Sequence, residues 1–277
     1  RGNLDFRQLD EESIDQMVAH FSELDLSQWE FQYEKGNFTI PFPTKVKGDD
    51  TFTVPLSKFY DVIDSERLLP DDLASYQSYI EERHRKMIAL TFDDGPDPTT
   101  TPQALAILKK YNAKATFFVV GKHVKCYPDS VIRASKEGHE IGNHTFTHPD
   151  ISTLSNEQLK TEIKNCEDII IEKTGKKPVL FRPPFGNYNE RCLKELSQDL
   201  GYTVVLWSGV DAKDWRNPPA SQIADKIIKN VKPGDIILLH DYGTENTIIA
   251  LDTILSTLSQ KGYKFVTVSE LLDKNNR

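Results

Sequence analysis

Met87-Ile88-Ala89-Leu90-Thr91-Phe92 is a short run, apolar but for one threonine, that stops abruptly at Asp93-Asp94-Gly95-Pro96. A run of this length closed by a turn signal reads as a buried strand, and it sets the rhythm of everything after it. The strand-like stretches Ala115-Thr116-Phe117-Phe118-Val119-Val120, Val179-Leu180-Phe181, Thr203-Val204-Val205-Leu206-Trp207, 235–239 and Phe265-Val266-Thr267-Val268 recur downstream. Between them lie amphipathic stretches with helical spacing at 102–111, 130–137, 155–174, 189–200, 221–231 and 246–261, and the short segment Glu140-Ile141-Gly142-Asn143. Repeated β-then-α units imply a parallel α/β sheet with helices outside it. About seven strands of this kind curl into a barrel related to the eight-stranded one, in which working residues sit where strands end.

Upstream, residues 1–85 have a different texture. A helical pattern over 11–21 is followed by alternating aromatic stretches at 29–33, 38–40 and 52–54, and 70–85 reads as a polar connecting helix. The expected organisation is a small α+β domain over 1–85 and a second domain over 86–277. No chemistry stands out in the first.

The 277 residues carry 34 Lys+Arg against 42 Asp+Glu, a formal charge of −8, with 38% hydrophobic residues. This composition builds a packed core, and an acidic balance disfavours nucleic acid as a partner. No apolar run approaches the roughly 20 residues of a membrane span. Cys126, Cys166 and Cys192 form no C-x-x-C pair and read as small buried residues. The chain starts at Arg1 without a visible signal peptide, so a processed or truncated piece is expected.

The strand-end rule then tests each polar cluster. In a strand, neighbouring side chains point to opposite sides, so one of Asp93 and Asp94 can bind a cation while the other takes a different task. His144 and His148 are four apart; on a helical turn they would face the same way and share a metal. The zinc-protease motif H-E-x-x-H is excluded because Thr145 follows the first histidine. Asp94, His144 and His148 make two imidazoles and a carboxylate. Non-haem iron oxygenases use that set too, but by resemblance their scaffold is an all-β double sheet whereas this chain alternates β and α, so zinc with three protein ligands and an open water position is expected. Arg182, before Pro183-Pro184-Phe185-Gly186, can orient a carboxylate. Asp211-Ala212-Lys213-Asp214-Trp215 follows the strand ending at Trp207, and His240-Asp241 follows Ile236-Ile237-Leu238-Leu239. His20, His84, His123 and His139 stand alone and read as surface or packing residues.

Taken in order, Thr91-Phe92-Asp93-Asp94-Gly95-Pro96, His144-x-x-x-His148, Arg182-x-Pro184-Phe185, Asp211-x-x-Asp214-Trp215 and Leu238-x-His240 resemble the five motifs of the polysaccharide deacetylases, the NodB-like carbohydrate esterase family four. The resemblance spans about 87–272. It implies a distorted (β/α) barrel and metal-dependent removal of acetyl groups from N-acetylated sugars. By position it implies that Asp94, His144 and His148 hold one divalent ion, Zn2+ by preference, with Co2+, Ni2+ or Fe2+ open. Asp93 would be the general base oriented by Arg182, and His240 the general acid paired with Asp211. The Phe185 N–H would help bind the oxyanion, while Trp215 and Leu238 wall the acetyl pocket. Phe185 stands where many members have Tyr. The implied partner is an acetylated polysaccharide: peptidoglycan by preference, acted on at the cell surface or outside the cell. Chitin oligosaccharides, O-acetyl xylan and a surface adhesin with little catalysis are the alternatives.

Overall fold

The computed structural model describes residues 32–34, 37–41, 51–55 and 86–275. The chain divides into two compact units, Arg1–Glu82 and Arg83–Arg277. In the first, β1 (Gln32–Glu34), β2 (Asn37–Pro41) and β3 (Thr51–Pro55) form an antiparallel sheet in the order β1-β2-β3. The helical patterns expected at 11–21 and 70–85 lie outside the described residues.

The second unit alternates strand and helix. Its strands are β4 (Met87–Asp93), β5 (Ala115–Val119), β6 (Glu140–Asn143), β7 (Leu180–Phe181), β8 (Thr203–Val204), β9 (Ile236–His240) and β10 (Lys264–Phe265). The helices are α1 (Thr100–Lys110), α2 (Gly121–Cys126), α3 (Pro128–Lys136), α4 (Asn156–Thr174), α5 (Glu190–Lys194), α6 (Ala220–Asn230), α7 (Glu245–Gln260) and α8 (Val268–Asn275). All seven strands pair in parallel, in the order β10-β4-β5-β6-β7-β8, with β9 also paired to β4 along Ala89–Asp93. The remaining gap, between β8 and β9, is spanned irregularly. Ser208 donates its N–H to the Ile236 carbonyl at 2.9 Å, and Asp211 bridges Leu238. The result is the expected distorted barrel of seven strands.

β4 is the axis of this unit. All seven of its side chains are buried, because helices cover one face and barrel interior the other. Ile88, Leu90 and Phe92 join the main core with Leu105 and Leu108 of α1 and Leu251, Ile254 and Leu255 of α7. Burying side chains of this size contributes about 1.5–3 kcal/mol each.

Several boundaries differ from the sequence reading. The strand expected through Trp207 ends at Val204, because the carbonyls of Val205 and Leu206 accept from the Arg182 guanidinium instead of a neighbouring strand. The strand expected over 265–268 stops at Phe265 and α8 begins at Val268. There Thr267 and Glu270 bond each other's main-chain N–H, a capping box that the T-x-x-E spacing encodes. The helix expected over 189–200 is α5 followed by a π-helical turn, Glu195–Asp199. Cys166 and Cys192 are buried, but Cys126 is exposed, contrary to expectation.

Candidate active site

The C-terminal ends of β4, β6, β7 and β9 converge on a cleft of about 430 Å³. It is lined by Asp93, Asp94, His144, His148, Phe185, Trp207, Asp211, Trp215, Leu238 and His240, with Pro183 and Gly186. Every residue to which the resemblance assigns a role lies on this lining except Arg182, which is buried.

Asp93 is the last residue of β4 and is almost fully buried. Arg182 Nη1 donates to its Oδ1 at 2.8 Å and to Thr91 Oγ1 at 2.6 Å. The remaining guanidinium donors reach the Val205 and Leu206 carbonyls, and the plane rests on the Phe118 ring, 4.2 Å from its centroid. A buried cation is tolerated only when paired and satisfied in this way. The guanidinium therefore fixes the rotamer of Asp93 and leaves Oδ2 facing the cleft, 3.8 Å from His144 Nε2.

Asp94 departs from strand geometry with φ 72°, so the strict alternation expected for Asp93 and Asp94 breaks down and both carboxylates face His144. The histidines are likewise not on a helical turn. Residues 144–148 form an irregular loop in which Thr145 (φ 68°) and His148 (φ 62°) are left-handed. Glu162 of α4 holds this loop by accepting from the N–H groups of Phe146 and Thr147 at 2.9 and 2.8 Å. Asn143, fully buried, accepts from the Thr145 N–H. Of the seven non-glycine residues with positive φ among the described residues, Asp94, His148 and Phe185 line this one cleft and Thr145 lies between its two histidines. Such conformations cost about 1–3 kcal/mol each and persist where surrounding bonds over-determine them.

The chemistry of these donors is that of a cation site. His144 Nδ1 lies 2.6 Å from the Arg182 carbonyl; a carbonyl only accepts, so Nδ1 carries the hydrogen and Nε2 presents its lone pair. That Nε2 lies 3.5 Å from Asp94 Oδ1, and His148 Nε2 lies 3.2 Å from the same oxygen. Asp94 Oδ1 is buried and accepts no hydrogen bond, and the three donor atoms lie within 4.8 Å of one another. A carboxylate oxygen facing imidazole lone pairs is repulsive until a cation lies between them.

At the end of β9, where His240 lies in register beside Asp93 of β4, the structure corrects one assignment. His240 pairs with Asp214, not Asp211. The His240 ring Nδ1 lies 2.8 Å from Asp214 Oδ1, while Asp214 Oδ2 accepts from the His240 main-chain N–H at 2.7 Å and from Thr247 Oγ1 at 2.8 Å. Asp214 is completely buried. Left-handed Lys213 (φ 52°) turns it inward, while Asp211 stays on the cleft wall and accepts from the Lys213 N–H. Burial would lower the His240 pKa, yet the bond to Asp214 and the charges of Asp214, Asp93 and Asp94 push it up to about 9.

Phe185, Trp215 and Leu238 wall the cleft; the first two are more than half exposed, whereas Leu238 is buried. The tight turn at Phe185 (φ 61°) is closed by the N–H groups of Gly186 and Asn187, which leaves the Phe185 N–H outside the turn's own bonding. The sequence reading missed Asp214 as the partner of His240, Glu162, Trp207 and His123, whose Nδ1 lies 2.7 Å from the Asp94 carbonyl. The D-x-x-D-W spacing could have pointed to Asp214; nothing in the sequence marks Glu162. A second cleft, about 320 Å³, lies at the opposite ends of β6 and β7 around Glu140, whose carboxylate is already engaged by Ser269 and Thr116.

Residues 80–205 match the family described as Polysaccharide deacetylase, and residues 1–77 match the Peptidoglycan GlcNAc deacetylase N-terminal domain. A peptidoglycan-N-acetylglucosamine deacetylase of Bacillus cereus is 48% identical over 200 residues, covering 71% of this chain and 93% of that protein. The corresponding Listeria monocytogenes protein, PgdA, is 34% identical over 89% of this chain but only 52% of its own length. The chain thus spans about half of that relative. The solved structure of the peptidoglycan deacetylase PdaC from Bacillus subtilis is 41% identical, with a TM-score of 0.66 over 70% of this chain and 93% of that one.

Proposed function

Because the chain belongs to the polysaccharide deacetylase family, we propose that it hydrolyses the acetamide of N-acetylglucosamine residues in peptidoglycan, at the cell surface or outside the cell. The observation that carries this reading is the presence, in one cleft, of an Arg182-held carboxylate and an Asp214-held imidazole on neighbouring strand ends, together with a cation site. The names of the similar proteins supply the polymer.

Asp94, His144 and His148 would hold one divalent ion, zinc by donor type, which supplies polarisation of the carbonyl and acidification of water when bound. The protein's own groups do the rest. Asp93 Oδ2 takes the proton of the attacking water as its oxygen adds to the acetyl carbon. The oxygen that becomes negative meets the Phe185 N–H, a kind of donor worth about 3 kcal/mol at the transition state. His240, kept protonated by Asp214, gives its proton to the sugar nitrogen. The C–N bond then breaks, releasing acetate and a free amine. Trp215 and Leu238 exclude water around the acetyl methyl, and Asp211 faces the sugar from the cleft wall.

The test is incubation with peptidoglycan, chitin oligosaccharides and acetylated xylan, measuring both acetate and free amine. Peptidoglycan should yield equal amounts of the two, located on glucosamine, and Asp93→Asn should abolish both. Acetate from xylan alone would replace this reading with an O-acetyl esterase. Amine on muramic acid would move the target by one sugar. Binding to the polymer without release of acetate would leave an adhesin.

A further inference from the structure

We infer that His123 is a positioning residue for the cation site: it fixes the main chain of Asp94 and through it the aim of the Asp94 carboxylate. This rests on the reading of Asp94, His144 and His148 as ligands.

Asp94 leaves β4 in a left-handed conformation that an aspartate adopts only when held. Two main-chain bonds hold the turn it enters. The Gly95 carbonyl accepts from the Val120 N–H at 2.9 Å, and the Asp94 carbonyl lies 2.7 Å from His123 Nδ1. Since a carbonyl only accepts, Nδ1 must carry the hydrogen, which defines the tautomer of a ring that ligates nothing itself. The ring cannot swing away. It lies flat on Tyr242, with centroids 4.1 Å apart and planes 3° from parallel. Tyr242 is two residues beyond His240, and His123 belongs to α2, directly after β5. The stack therefore ties together the ends of β4, β5 and β9, and places the clamp on the ligand's backbone rather than its side chain. Groups that orient a ligand in this way typically change metal affinity 10–100-fold when removed.

Two features of His123 can be separated by substitution. His123→Phe keeps a ring on Tyr242 and removes the donor. His123→Asn places a side-chain N–H the same number of bonds from Cα as Nδ1 and removes the ring. Zn2+ affinity of the full chain is measured by competition with a chromophoric chelator, alongside the melting temperature of the metal-free protein. H123F should lose about 10–100-fold in affinity, and H123N should stay within about threefold of the parent. H123F binding Zn2+ as tightly as the parent overturns the inference. Where H123F does not fold, H123N is compared with His123→Leu, similar in size but without a donor, and equal affinities in that pair overturn it too. A parent chain that binds no divalent ion overturns the ligand assignment itself, a failure distinct from the others.

Discussion

Asp211 and Asp214 are chemically identical and three residues apart, and burial with hydrogen bonding separates their roles. Asp214 is enclosed and spends both oxygens on His240 and Thr247, while Asp211 remains on the cleft wall. The sequence made both candidates legible, because each falls at a strand end, but the choice between them rests on one left-handed residue, Lys213. Residue types do not encode that turn, since lysine has no preference for it. The pair has a pH signature. His240 rises from 6.5 in the unfolded chain to about 9 in the folded one, so its pairing with Asp214 contributes stability that is complete below about pH 6.5 and is lost as pH climbs through 9. The acid form needed for catalysis persists over the same range. Asp214→Asn should thus move the alkaline limb of the rate profile toward neutrality and reduce turnover by about 100-fold or more. Asp211→Asn should leave that limb in place and act on substrate affinity. Steady-state kinetics across pH would decide, and an alkaline limb displaced by Asp211→Asn instead would restore the original pairing.

Elements aim these residues through contacts that reach well below the cleft. Gly142 in β6 is the clearest case: a Cβ there would lie 2.5 Å from Phe118 Cδ1, and the Phe118 ring supports the Arg182 guanidinium. Gly142→Ala should therefore do two things together. Overpacking should lower stability by about 1–3 kcal/mol, read as a reduced urea midpoint at unchanged slope. Displacement of Phe118 should also loosen the Arg182–Asp93 pair and depress kcat more than KM. A variant as stable and as active as the parent would show that the ring yields freely. This chain of contact was not legible beforehand, because it joins three strands whose register only the folded sheet defines. The helices were more legible. Ser155 and Gln158 form a capping box at the start of α4, where apolar spacing had already placed that helix. The strand at 203–207 was overextended because an apolar run does not reveal that its carbonyls serve an arginine.

At the scale of the whole second unit, β/α alternation carried the architecture, and the coincidence of polar clusters at successive strand ends carried the position of the site. What alternation could not carry was convergence. Asp94 leaves β4 and the histidines leave β6, fifty residues later in the chain, and these segments meet only because β5 lies between their strands in the sheet. A cation bound there cross-links two strand ends on the same rim of the barrel in the folded state, and the unfolded chain offers no such site. Binding should then stabilise this unit by mass action, by about 2.7 kcal/mol when the free ion is at 100 times Kd. For a unit of this size that corresponds to about 5–10 °C in Tm. Calorimetry after exhaustive chelation should show the transition of the second unit falling by that amount and returning when Zn2+ is added. Asp94→Asn combined with His148→Ala should melt at the chelated temperature whether or not Zn2+ is present. An ion that left Tm unmoved in the parent chain would mean that Asp94, His144 and His148 do not form a common site. The unpartnered Asp94 oxygen would then need another donor.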